Sequence, residues 1–262
     1  ELVESGSYAE ALRVIDDVIP RLRRIYRRDG PHILRMRLLG AQCLLNLGMS
    51  QARPEIAAIV QSSRETLGPD HQITLEAEAL QASASAHYGD VQAAAQFAAL
   101  AEKAEAAAGN AGADLAALQL RAAEGLTLGA NGDWPGAHRV LSHVLTAAYG
   151  TVSEDDPWLL RLRYSQAATV HRTGDLVGAL ALLEDVVRDM DRVLGLLDED
   201  SRDSREALAR LVHQSGDTAR AVALMTEVRQ QATAQGADEQ VRRADDALRA
   251  WSGRRRRFGF AP

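Results

Sequence analysis

The side chains able to do chemistry are few and scattered. Three histidines, His87, His171 and His213, each stand two or three residues before a glycine, and could line one rim if that glycine marked a repeating structural position. Neighbouring helices pack about 9–10 Å apart, too far for such a rim to close around one metal ion, so exposed or capping histidines are the expectation. His138 and His143, five apart, fall on different faces of a helix and do not make a metal pair. Asp16-Asp17 and Asp155-Asp156 are adjacent carboxylates of the kind found on solvated faces, not an opposed acid and base. Cys43 is the single cysteine, which excludes an internal disulfide and a thiolate cluster and fits a reducing cytoplasm. No phosphate-binding Gly-x-x-x-x-Gly-Lys-Ser/Thr, His-Glu-x-x-His or Gly-x-Ser-x-Gly occurs. The expectation is a chain with no enzymatic activity, no cofactor and no metal.

The elements that carry these residues repeat. Gly6, Gly48, Gly89, Gly132, Gly174 and Gly216 follow one another at intervals of 42, 41, 43, 42 and 42 residues. Such a period indicates a helical array in which each repeat packs on its neighbours. Each glycine closes one helix (A) and precedes a second (B). Seven residues before it comes a small residue, Ala41, Ala82, Gly125, Ala167 or Ala209; five after it comes Ala11, Ala94, Ala137, Ala179 or Ala221, with Arg53 the exception. Small residues in both helices imply close approach, and Arg53 predicts a looser or offset hairpin. Val14, Ile56, Phe97, Val140, Leu182 and Leu224, eight after the glycine, and Val18, Val60, Ala101, Val144, Val186 and Val228, twelve after it, are the expected buried stripe. Each side chain fully buried there contributes about 1.5–3 kcal/mol.

A helices are expected to start near Thr74, Asp114, Pro157 and Ser201, and a capping helix to cover the last repeat from Asp238 to Trp251. With 46% hydrophobic but only 4% aromatic residues, strand is not expected. A net charge of −6 disfavours nucleic acid as the main partner, and no apolar run is long enough for a membrane span. The opening at Glu1, inside what reads as the end of an A helix, suggests a fragment whose first repeat is incomplete. The repeat domain then covers 1–253 and an arginine-rich tail 254–262.

These columns, with Gly132-Asp133-Trp134-Pro135-Gly136-Ala137, closely resemble the tetratricopeptide repeat (TPR). The period and the linker Leu67-Gly68-Pro69-Asp70-His71-Gln72-Ile73-Thr74-Leu75 are similar to the kinesin-light-chain type. The resemblance implies an all-α, right-handed superhelix of about six hairpins plus the cap, and a protein-interaction scaffold, the regulatory portion of a larger bacterial protein. It also implies a concave face, built by the A helices, that holds a peptide or partner helix. Transferred by position, that face comprises Arg35, Gln42, Asn46, Ser83, His87, Arg161, Tyr164, Ala168, His171, Arg172, Asp203, Glu206, Arg210 and His213. Where related repeats usually place asparagine, nine before the glycine, this sequence has Leu39, Leu80, Ala123, Ser165 and Ala207. That departure favours an apolar ligand, an amphipathic helix or another copy of the chain, over clamping of an extended backbone.

Two other readings stay open: a sensor of a peptide or small ligand, and nucleic-acid binding through the arginine-rich ends. The latter include Arg21, Arg23, Arg24, Arg27 and Arg28. The tail, with Arg254, Arg255, Arg256, Arg257, Phe258 and Phe260, could dock on the acidic loops near Glu154–Asp156 and Asp198–Asp203 of this chain or of a second copy.

Overall fold

A computed structural model describes residues 6–26, 30–108 and 114–253. Among them are twelve helices and no strand: α1 (Tyr8–Ile25), α2 (Pro31–Asn46), α3 (Ala52–Leu67), α4 (Gln72–His87), α5 (Ala93–Ala108), α6 (Leu115–Ala130), α7 (Trp134–Ala148), α8 (Pro157–Arg172), α9 (Leu176–Val193), α10 (Glu199–Gln214), α11 (Thr218–Ala234) and α12 (Asp238–Gly253). The chain forms two compact units that divide between Asn131 and Gly132. Within the first, each helix from α1 to α6 packs on the next; within the second, the same holds from α7 to α12.

The local chemistry explains the breaks. All six reference glycines have positive φ, and at Gly174, where φ is +100°, a side chain would strain the turn. The next residue then restarts the chain: Asp133, Asp175 and Asp217 each accept the N–H three residues on, from Gly136, Gly178 and Arg220, at 2.8–3.0 Å. Asp114 and Asp156 cap α6 and α8 as expected. Two starts come earlier than expected. α4 is capped by the His71 ring at Ile73 N–H, and Thr74 instead donates to the Gly68 carbonyl at 2.8 Å. α10 is capped by Asp198, which leaves Ser201 buried in the first turn.

Both small-residue columns are buried, from Ala41 and Ala179, each without exposed surface, to Ala94 and Gly125. Gly40 adds a close approach in the first unit, since a Cβ there would stand 3.3 Å from Ile15 Cγ2. The expected stripe eight after the glycine is corrected in part. Ile56 and Phe97 are buried, whereas Val14 and Leu182 are 47% and 41% exposed, and Ile15, Leu141, Leu183 and Met225, nine after the glycine, take the interior place. The cause lies in the turns. α1, α7, α9 and α11 begin two residues after the glycine, but α3 and α5 begin four after it, so their inner faces fall one residue earlier. The hairpin at Gly48 is therefore offset: Ala52 fills the contact and Arg53 turns outward.

Candidate functional site

In the first unit α2 and α4 lie side by side and enclose an open groove of about 640 Å³. Its floor is Leu38, Leu39, Ala79 and Leu80; its rim is Arg35, Gln42, Gln72, Glu76 and Ser83. The lining follows from helix periodicity, because residues three, four and seven apart share a face. Much of the rim is already engaged. Arg35 reaches Glu76 at 3.2 and 3.4 Å, and the Ser83 hydroxyl donates to the Ala79 carbonyl at 3.0 Å. Gln42 is exposed and makes no hydrogen bond among the described residues. Of the expected groove residues in this unit, Arg35, Gln42 and Ser83 converge. Asn46 and His87 do not line the groove; His87 meets the edge of Tyr88, whose ring carries the Arg53 guanidinium at 4.9 Å.

The second unit presents a smaller, polar recess of about 310 Å³ lined by Tyr164, Asp203, Glu206, Ala207, Arg210 and Arg243. Arg210 and Arg243 hold Glu206 at 2.8 and 3.2 Å, and Gln240 and Arg243 hold Asp203 at 2.8 and 3.3 Å. Burial opposes the charge on Glu206, but the two arginines outweigh it and keep its carboxyl below the usual range. Asp203 moves the other way: burial raises it, and Arg243 offsets this only in part against the nearby Glu206 and Glu199. Burial, then the charges of Asp203, Glu206 and Asp200, raise the Tyr164 hydroxyl. Of the residues placed on this face by repeat position, Tyr164, Asp203, Glu206 and Arg210 come together here, joined by Arg243 from the capping helix.

The other expected residues are spent on contacts within the unit. Arg161 pairs with Asp200 at 2.9 Å, His171 bonds Gln214 at 2.8 Å, Arg172 covers the Trp134 ring at 5.0 Å, and His213 stacks on Trp251 with centroids 4.5 Å apart. Within the acidic loops, Asp155 pairs with Arg192, while Asp156 and Asp198 cap helices. Arg254, Arg255, Arg256, Arg257, Phe258 and Phe260, like Arg27 and Arg28, lie outside the described residues.

A buried polar layer that the sequence pattern does not announce lies beneath this face. Arg202 binds Gln240 and the Leu197 carbonyl; Arg205, only 3% exposed, binds Asp191 and Gln231. Charged residues read as solvated, so periodicity alone could not reveal it; an unbroken buried run at Ser204, Arg205 and Glu206 has no apolar signature. Among the described residues no three His, Cys, Asp or Glu side chains converge as metal ligands, and no helix is long and apolar enough to cross a membrane.

No family model matches the chain, and no curated protein matches it by sequence. Solved structures do resemble it. A Podosopora anserina protein of nearly identical, kinesin-light-chain TPR-like repeats superposes with a TM-score of 0.64 at 23% identity, over 79% of this chain and 98% of that one. BtubC (BKLC) from P. vanneervenii gives 0.55 at 11%, over 87% and 94%. The C-terminal part of a TPR repeat-containing protein from Cytophaga hutchinsonii gives 0.52 at 15%, over 97% and 86%. Identities below a quarter speak to architecture alone, and on that ground the chain has the fold of TPR proteins of the kinesin-light-chain-like kind.

Proposed function

We propose that this chain is a non-enzymatic interaction scaffold whose α2–α4 groove takes the apolar face of a partner helix, as a regulatory module in the cytoplasm of a bacterium. The observation that carries the reading is the groove's mismatch between apolar floor and spent rim. Leu38, Leu39, Ala79 and Leu80 offer a continuous apolar floor, while Arg35 and Ser83 are committed to Glu76 and to the Ala79 carbonyl. An extended peptide would lay backbone N–H and C=O groups over the apolar side chains of Leu39 and Leu80, with polar groups to receive them only along the rim. Each backbone group stranded this way costs about 1–3 kcal/mol. A helix satisfies its own backbone and needs only a stripe of apolar side chains from its partner. The polar recess of the second unit is internally compensated and serves in this reading as structure.

A displayed library of random peptides, panned against the intact chain, tests the proposal. Recovered sequences should carry apolar residues at three- and four-residue spacing and should lose binding to Leu39→Asp/Leu80→Asp while keeping it to Val177→Asp, a change at a site 79% exposed in the other unit. Recovery of extended, proline-rich sequences that bind both variants equally would refute it. Purified chain should also show no hydrolase or kinase turnover; an activity lost through a point substitution would end the non-enzymatic reading.

A further inference from the structure

α1 handles its arginines differently from the rest of the chain. Elsewhere guanidinium groups are commonly matched with carboxylates, as in Arg37 with Glu55, Arg64 with Glu78, Arg121 with Glu105 and Arg192 with Asp155. On α1, Asp17 holds Arg21 at 2.5 Å, but Arg23 and Arg24 are exposed and form no ion pair among the described residues. Their place in the last turn complements the helix dipole and explains part of the charge. It does not explain their neighbours. Ile25 is 74% exposed and Tyr26 43%, and Tyr26 rests against His32 at the start of α2, with ring centroids 4.8 Å apart. One exposed aliphatic residue is ordinary, but an aliphatic and an aromatic side chain standing together among unmatched cations form a surface with two chemistries. The sequence continues with Arg27 and Arg28, which lie outside the described residues.

We propose that this end of α1 is a second docking surface, for an acidic protein segment that also carries apolar side chains. Charge complementarity selects the acid, since Arg23 and Arg24 form no ion pair with a carboxylate among the described residues. Ile25 and Tyr26 select against the other polyanions. A nucleic-acid backbone would satisfy the arginines and leave Ile25 without a contact. A flat anionic membrane would have to accommodate Asp16, exposed on the same helix. The surface is separate from the α2–α4 groove, and the proposal stands whether or not the groove holds a helix.

The test uses the intact chain and a fluorescent synthetic peptide in which leucines interrupt a run of glutamates, with anisotropy read at low and high salt. Binding should weaken with salt, and Arg23→Gln/Arg24→Gln should lower low-salt affinity by about tenfold, the order expected for losing two surface ion pairs of the stronger kind. Ile25→Ser should lower it by about threefold with the salt dependence unchanged, since it removes apolar contact and no charge. Glutamine keeps helix propensity, and circular dichroism establishes that each variant is folded. The proposal fails if Arg23→Gln/Arg24→Gln binds within about twofold of the parent, or if Ile25→Ser changes nothing. It also fails if duplex DNA or phosphatidylserine vesicles bind as tightly as the peptide.

Discussion

Replacing Arg205 with methionine keeps most of the side chain's length and removes its charge. The Arg205 side chain is 4% exposed and that of its partner Asp191 24%, so the substitution strands a carboxylate that water reaches only in part. Breaking a fully buried pair costs about 3–5 kcal/mol, and the access of water to Asp191 brings the expected loss to about 2–3 kcal/mol. The Gln231 amide also loses its donor, which keeps the figure at the upper end. At a urea dependence of about 1–3 kcal/mol per molar, the midpoint for the second unit should fall by about 1–2 M. Adding Asp191→Asn should then recover about half of the loss, because it discharges the stranded group. Urea titrations followed by circular dichroism measure all four corners of this cycle. An Arg205→Met variant within about 0.5 kcal/mol of the parent, or no recovery with Asp191→Asn, would show that the pair is not a buried structural bridge.

Other substitutions test separate links. Ala179→Leu, at a position with no exposed surface between α8 and α9, should cost about 1–3 kcal/mol by overpacking; an unchanged urea midpoint would mean the close contact is absent. Asp175→Ala removes the acceptor of the Gly178 N–H, 2.8 Å away, and should cost about 1 kcal/mol, with amide exchange at Gly178 accelerated; unaltered exchange would count against the cap. Asp203 and Glu206 should respond to acid with opposite signs. Because folding lowers the Glu206 pKa, its contribution is present above the unfolded value and is lost as pH falls through the folded one. Because folding raises Asp203, its ionised form disfavours the fold, and that penalty is relieved on acidification. Glu206→Gln should therefore flatten the acid side of the stability profile, whereas Asp203→Asn should stabilise most at neutral pH and lose that advantage at about pH 4; profiles shifting in the same direction would contradict the assignments.

The fold was legible where backbone geometry admits few residue types. A positive φ calls for glycine, and the capping aspartate and interhelix alanine follow at fixed distances, so Gly174, Asp175 and Ala179 announce a hairpin without any tertiary information. The outward turn of Val14 and Leu182 was not legible, because it depends on whether the B helix begins two or four residues after the glycine. Asp133, Asp175 and Asp217 cap the short turns at the third N–H, whereas Met49 follows Gly48 and Asp90 accepts from Gln92 in a longer turn. Residue type alone does not fix the length, since α1 begins two residues after Gly6 with no side-chain cap. The candidate site divides in the same way. Arg35, Gln42 and Ser83 could be placed by repeat position, and Leu38, Leu39, Ala79 and Leu80 share their face by simple periodicity. His171, Arg172 and His213 hold the equivalent positions but are taken up by Gln214, Trp134 and Trp251, partners 43, 38 and 38 residues away in sequence that no local pattern identifies.

The claim that the α2–α4 groove reads the side chains of a helix is tested most directly by calorimetry with two peptides of equal length and equal leucine content. Both carry leucines at three- and four-residue spacing; one is covalently locked as a helix and the other is broken by a central proline. The locked peptide should bind the intact chain at least about tenfold more tightly, equivalent to relief of about one stranded backbone group, and Leu39→Asp/Leu80→Asp should abolish the difference. Equal affinity for the two peptides, or an advantage that survives in the variant, would contradict the account.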